Sequence, residues 1–228
     1  MRFTTLLFDA DNTLFDFDRS SEQAFHLTMS WLGIASSDAH FARYLQINRE
    51  CWALAERGEL PLAKIKYLRF SRFLMEIGHQ GDPVATNDHY LDALASTVIL
   101  IEGASELLAE LQADGRQLAL ITNGLKEVQR RRLAGSGLAS FFQAVIVSDE
   151  IGLVKPDPAF FRFTLEQLSP RPAEEVLVIG DNPHSDIQGG HNAGLATCWY
   201  NPARLENPLP DPPTYEVRSL REIVEVVG

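Results

Sequence analysis

The sequence predicts an α/β fold: a doubly wound parallel sheet with an all-helical domain inserted after its first strand. Three observations lead there. From Ser105 onward, apolar strand-like runs alternate with amphipathic stripes of helical period, the pattern of a parallel sheet with helices on both faces. The chain opens with a single wholly apolar run that stops at two carboxylates, Asp9 and Asp11. Between that run and Ser105 the spacing of apolar residues is helical, with no strand pattern. The first strand therefore belongs with the later alternation. The predicted division is an α/β core of residues 1–14 and 98–228, and a helical insertion of residues 15–97.

Each element follows from local chemistry. Residues 4–9 form a buried strand. Ser20 and Gln23 suit a capping box, with Ala24, Leu27, Trp31 and Leu32 as the apolar stripe behind it. Asp38 suits the cap of a second helix carrying Phe41, Tyr44, Leu45, Trp52 and Ala55, which Gly58 ends. Pro61 suits the first turn of a third, with Ile65, Leu68, Phe73 and Ile77 on one face and Gly78 beyond its end. A fourth helical segment runs around residues 89–95.

Leu107, Leu108 and Leu111 then line a helix, and residues 117–121 form a strand. A basic helix over 125–134 precedes a strand at 144–148. Asp157 caps a helix whose first residue is Pro158 and whose end lies near Leu168. Residues 176–180 form a strand, 186–193 a short helix and 195–199 the last strand. The proline-rich stretch 202–213 is a loop, and Ser219 with Glu222 starts a C-terminal helix.

Bulk properties agree with this plan. At ~150 residues per domain, 228 residues make roughly 1.5 domains, which suits one domain with an insertion. Hydrophobic residues at 45% supply a core, which excludes a disordered chain. The net charge of −11 disfavours a nucleic-acid polymer as partner, because phosphate backbones require clustered Lys and Arg. No apolar run approaches the ~18 residues of a membrane span. Asp9 and Asp11 interrupt the N-terminal apolar stretch too early for a signal peptide. Cys51 and Cys198 lack metal-ligand spacing and read as reduced thiols of a cytoplasmic protein.

The chemistry-bearing residues cluster at strand ends, where open parallel sheets bind ligands. Asp9-Ala10-Asp11-Asn12-Thr13 follows the first strand. Thr122-Asn123-Gly124 follows the second, before a helix whose N-terminus favours an anion. Lys155-Pro156-Asp157-Pro158 brings a cation to another turn, and Asp181 and Asp186 follow the strand that ends at Gly180. Singly, each reads as a turn, a surface lysine or a helix cap. Together they supply several carboxylates, a hydroxyl, a lysine and backbone donors. Hard oxygen ligands favour Mg2+, and the set is equipped for phosphoryl transfer. His184 reads as a loop residue without a role, Trp52, Tyr67 and Phe73 as helical core, and Arg130, Arg131 and Arg132 as a solvated helix face.

Asp-x-Asp-x-Thr, a strand-terminal Thr, Lys-Pro and Gly-Asp-x4-Asp, in this order over essentially the whole chain, resemble the four motifs of the haloacid dehalogenase superfamily. The insertion is similar to that superfamily's helical cap. Within the superfamily, Asp9-Ala10-Asp11-Asn12-Thr13-Leu14, Thr122-Asn123-Gly124 and the stretch from Gly180 to Gly190 are most similar to bacterial house-cleaning pyrimidine 5′-nucleotidases. The resemblance implies a Rossmann-like core and these roles. Asp9 attacks phosphorus, and Asp11 is the general acid and base. Mg2+ is held by Asp9, the Asp11 backbone carbonyl and Asp181. Thr122 and the Asn123 N–H hold phosphoryl oxygens. Lys155 neutralises charge, and Asp186 orients Lys155. Asp11 is generally missing from the superfamily's dehalogenases, which argues against carbon–halogen cleavage.

The expected activity is thus Mg2+-dependent hydrolysis of a small phosphorylated metabolite, a nucleoside 5′-monophosphate with a pyrimidine base. A sugar-phosphate or phosphoglycolate phosphatase and a phosphomutase are the alternatives within the class. A phospho-accepting signalling module has no use for the large insertion, and Asp11 would hasten loss of its phosphoryl group. A catalytically silent binding protein has no reason to keep every catalytic position filled.

Overall fold

The computed structural model describes residues 2–169 and 171–228. In chain order the elements are β1 (Thr5–Asp9), α1 (Phe17–Trp31), α2 (Asp38–Glu56), α3 (Leu62–Glu76), α4 (Pro83–Ser96) and α5 (Ala104–Ala113). β2 (Gln117–Thr122), α6 (Lys126–Ser136), β3 (Ala144–Val147), α7 (Ser148–Ile151), α8 (Pro158–Glu166) and β4 (Val176–Gly180) follow. A π-helical turn, Pro183–Gln188, leads into α9 (Gly189–Asn192), and β5 (Ala196–Tyr200), β6 (Tyr215–Val217) and α10 (Glu222–Val227) complete the chain.

Two compact units form: residues 1–17 with 99–228, and residues 18–98. The chain changes unit at 17/18 rather than 14/15 because residues past Thr13 still bond within the first unit. Asp16 N donates to Ile99 O at 2.9 Å, Ile101 N donates to Leu14 O at 2.9 Å, and Phe15 bridges Leu100.

In the first unit all six strands are parallel, in the order β3-β2-β1-β4-β5-β6. The chain runs outward from β1 in both directions, so the crevice at the carboxyl end of β1 is the switch point where such sheets bind ligands. β1, β2 and β4 are buried almost throughout, as the apolar runs required. On one face Leu7, Ile121, Ile146 and Val178 pack against Phe160 and Phe161 of α8. β6 adds a sixth strand beyond the one expected to be last. With three residues and β5 as its only strand neighbour, it carries too little apolar pattern to register in sequence.

The second unit holds most of α1 and all of α2–α4. Its core is aromatic: Tyr44 stacks between Phe25 and Phe70, each at a centroid distance of 5.1 Å, and Phe73 meets Phe25 edge-on. Four details depart from the sequence reading. α1 starts at Phe17, whose N–H donates to Asn12 Oδ1 at 3.1 Å, so Ser20 lies inside the helix rather than capping it. Its buried face is Ser20, Ser21, Ala24, Phe25, Thr28 and Met29, whereas Leu27 and Trp31 are about half exposed. The polar members turn inward because they have partners: Ser21 Oγ bonds Tyr90 Oη, and Thr28 Oγ1 donates to Ala24 O. Ser37, not Asp38, caps α2, accepting from His40 N. Tyr67 is exposed, while Phe73 is fully buried.

No helix among the described residues is long and apolar enough to cross a membrane.

Candidate active site

Register brings the motifs together. Asp9, the last residue of β1, pairs with Ile121 of β2, so Thr122 stands one residue beyond it. Phe8 pairs with Ile179 of β4, which sets Gly180 beside Asp9 and Asp181 just past the sheet edge. The turn after β1 requires a left-handed residue: Asn12 has φ 58°, a conformation asparagine tolerates better than most side chains.

Lys155 enters between α7 and α8, held by a two-way clasp. Its N–H donates to Asn123 Oδ1 at 2.9 Å, and Asn123 Nδ2 donates to Lys155 O at 2.8 Å. Its ammonium donates to Asp9 Oδ1 and Asp186 Oδ1, both at 2.6 Å, and to Ile121 O at 3.3 Å. Lys155 is 1% exposed, Asp186 0% and Asp9 7%. Asp186 accepts from Asn182 N on its other oxygen at 3.1 Å. Asn182, rather than Asp186, caps the turn there. Gly180 is obligatory: a Cβ at that position would lie 2.2 Å from Asp186 Oδ2. Trp199 Nε1 donates to Asp181 O at 2.8 Å and fixes the backbone of that residue.

Asp9, Asp181 and Asp186 present carboxylate oxygens within 4.8 Å of one another. Only oxygen donors converge, which suits a hard divalent cation over a thiophilic one. Burial and the neighbouring carboxylates press the same way. Burial raises the Asp9 pKa well above its ordinary value; Lys155 opposes this, and Asp186 and Asp11 add to it. Burial, followed by Asp9 and Asp186, likewise raises Asp181. Burial works against the Lys155 ammonium, but Asp186 and Asp9 together outweigh it and keep the lysine charged. One ammonium among three carboxylates, two of them buried, leaves the cluster short of positive charge, which a bound cation would supply.

Asp11 faces a different set of partners. Gln129 Nε2 donates to its Oδ2 at 2.6 Å, and Arg132 Nη1 donates to Oδ1. Arg132 is fully buried, with its guanidinium 4.6 Å from the Phe15 ring centroid. The expectation of a solvated arginine face is therefore corrected. Arg130 does lie at the surface and pairs with Glu150, but Arg132 points inward. Leu125, Val128, Gln129 and Arg132 follow the i, i+3, i+4, i+7 spacing of a buried stripe, all four are buried, and that spacing was the available signal.

Of the remaining expected residues, Thr122 is buried at the strand end, its Oγ1 accepting from Gly124 N at 3.0 Å. The Asn123 side chain is committed to Lys155. His184 is exposed.

A buried carboxylate at a strand end, a second carboxylate two residues on and a lysine between acids are groups that can serve nucleophilic displacement with proton transfer. Known proteins resemble the chain over its full length. The model of the haloacid dehalogenase-like hydrolases matches residues 3–194. The crystal structure of the HAD-hydrolase YfnB from Bacillus subtilis, bound to magnesium, is 35% identical, covers 100% of both chains and superposes with a TM-score of 0.93. Pyrimidine 5′-nucleotidase PynA of Streptococcus pneumoniae is 35% identical over 225 residues, 99% of this chain and 95% of its own. Pyrimidine 5′-nucleotidase YjjG of Escherichia coli is 32% identical over 228 residues, 100% and 99% of the two chains. The chain belongs to the haloacid dehalogenase-like hydrolase family.

Proposed function

We propose that the protein is a Mg2+-dependent phosphomonoesterase that works through an aspartyl-phosphate and hydrolyses nucleoside 5′-monophosphates, pyrimidines before purines. The observation that carries the reaction type is the environment of Asp9. Lys155 occupies Oδ1, whereas Oδ2 has, among the described residues, a long 3.4 Å contact from Thr13 Oγ1 and is the oxygen left for phosphorus. The substrate class draws on the full-length similarity to PynA and YjjG.

Asp9, the Asp11 backbone carbonyl and Asp181 would hold Mg2+, which when bound supplies the positive charge that lets an anionic nucleophile meet an anionic phosphate. Asp186, with both oxygens engaged by Lys155 and Asn182, orients the lysine. Asp9 attacks phosphorus and the ester bond breaks. Asp11 gives its proton to the departing 5′-oxygen, then takes one from the water that hydrolyses the aspartyl-phosphate. Thr122 and the Asn123 N–H hold phosphoryl oxygens, and Lys155 offsets charge on the transferring group. Both cysteines are free, in keeping with a reducing cytoplasm.

A hydrolysis screen tests the substrate class. UMP, dUMP or dTMP should exceed purine monophosphates and phosphoglycolate in kcat/KM. A tenfold advantage for phosphoglycolate or a sugar phosphate would replace the nucleotidase reading with the alternative phosphatase. Absence of turnover on any phosphorylated substrate, aryl phosphates included, would favour a binding or signalling role.

Metal binding has a pH signature. Asp9 and Asp181 have folded-state pKa values above the unfolded 3.8. Without metal, their contribution to stability is complete below pH 3.8 and is lost as pH rises through the raised values, because the unfolded chain releases its protons first. Mg2+ binds the ionised carboxylates and reverses this loss. The stabilisation by Mg2+, read as a rise in Tm, should therefore grow from pH 5 to pH 8 and amount to about 2.7 kcal/mol at a hundred times Kd. A Mg2+-induced shift that is zero, or that shrinks over this range, would contradict the assigned site.

A further inference from the structure

Asp11 is held more firmly than its place in a turn requires. Two side chains from α6 donate to it, one to each oxygen, and both are buried: Gln129 3% exposed, Arg132 0%. Neither is there for its own satisfaction. Gln129 Oε1 and Arg132 Nε and Nη2 are buried with no hydrogen-bond partner among the described residues. Buried orphans of this kind cost stability, so stability alone does not account for the arrangement. Gly124 makes room for it: a Cβ there would lie 2.2 Å from Gln129 Nε2, the atom that reaches Asp11. The Asp11 side chain remains 27% exposed, so the carboxylate is pinned on one side and open on the other. Each pinned oxygen keeps a second lone pair for a proton.

We propose that Gln129 and Arg132 are positioning residues that hold the Asp11 carboxylate in the orientation from which it activates water. Their effect falls on breakdown of the aspartyl-phosphate. In that step the water oxygen bonds to phosphorus, its proton passes to Asp11, the bond from phosphorus to the Asp9 oxygen breaks, and Asp9 leaves as a carboxylate with release of inorganic phosphate. Donors to both oxygens suit the proton-accepting form. The proposal rests on Asp11 being the acid and base of the proposed function.

The test uses Gln129→Ala, Arg132→Lys and Gly124→Ala in the full chain with Mg2+ and an aryl phosphate. Its good leaving group makes formation of the intermediate insensitive to acid assistance. Rapid acid quench should show phosphorylated protein accumulating in Gln129→Ala and Gly124→Ala, with kcat lowered about tenfold or more, since small misplacements of reacting groups cost up to about 10²-fold. Arg132→Lys should retain more activity than Arg132→Ala, which is assayed beside it. In the Asp11→Asn background, Gln129→Ala should add no further loss. An equal fold-loss with and without Asp11, or unchanged kcat and phosphoenzyme level in Gln129→Ala, overturns the proposal. If Arg132→Lys does not fold, Gln129→Ala and Gly124→Ala decide alone. Failure of the underlying reading looks different: Asp11→Asn itself would turn over like the wild type.

Discussion

Asp9→Asn is expected to reduce turnover to near background, a loss on the order of 10⁶-fold, as when a catalytic nucleophile is removed. The amide cannot form the acyl phosphate, and it withdraws one carboxylate from the metal cluster. Folding should survive, because the substitution relieves rather than creates an excess of buried negative charge: Asp9 shares a single lysine with Asp186. Steady-state kinetics with Mg2+ on an aryl phosphate and on UMP, with Tm measured in parallel, checks both halves. An active Asp9→Asn protein would remove the nucleophile assignment. A cooperative fold with no activity would sustain it.

Lys155→Ala should damage both stability and activity. It leaves Asp9 and Asp186 facing each other in the interior without the ammonium that each contacts at 2.6 Å. Breaking a buried ion pair by removing one partner typically costs about 3–5 kcal/mol. Part of that cost is relieved when a carboxylate takes up a proton. The loss of Tm relative to wild type should therefore be larger at pH 8 than at pH 5, and excess Mg2+ should narrow the gap. Thermal melts at the two pH values, with and without Mg2+, read this directly. A pH-independent loss would place the effect in packing rather than in charge.

The strand ends were legible because their signal is local. A run such as Leu6-Leu7-Phe8 must be buried, and a carboxylate immediately after it must emerge at the sheet edge. The same reasoning located Thr122 and Asp181, whereas Lys155 was marked by the Pro-initiated helix that follows it. The helical insertion was less legible in phase than in kind. In α1, buried Ser20, Ser21 and Thr28 replace the apolar residues that a hydrophobic stripe would select, and hydrogen bonding inside the unit makes that possible. Arg132 was obscured by its neighbours. Three consecutive arginines read as a solvated surface, yet only one of them lies on the stripe with Leu125 and Val128, and its burial depends on a carboxylate over a hundred residues away. Asn123 was expected to act through its backbone N–H; its side chain has a further task, fixing Lys155, a contact between distant segments that no local pattern encodes.

The central claim is covalent catalysis by Asp9 with Asp11 as the proton carrier. Acid-quenched mass spectrometry of Asp11→Asn after mixing with Mg2+ and an aryl phosphate tests it most directly. Asp11→Asn should turn over about 10²- to 10⁴-fold more slowly than wild type. It should accumulate protein carrying one added phosphate, and peptide mapping should place that phosphate on Asp9. Phosphate on any other residue, or an unphosphorylated Asp11→Asn protein that turns over at the wild-type rate, would contradict the account.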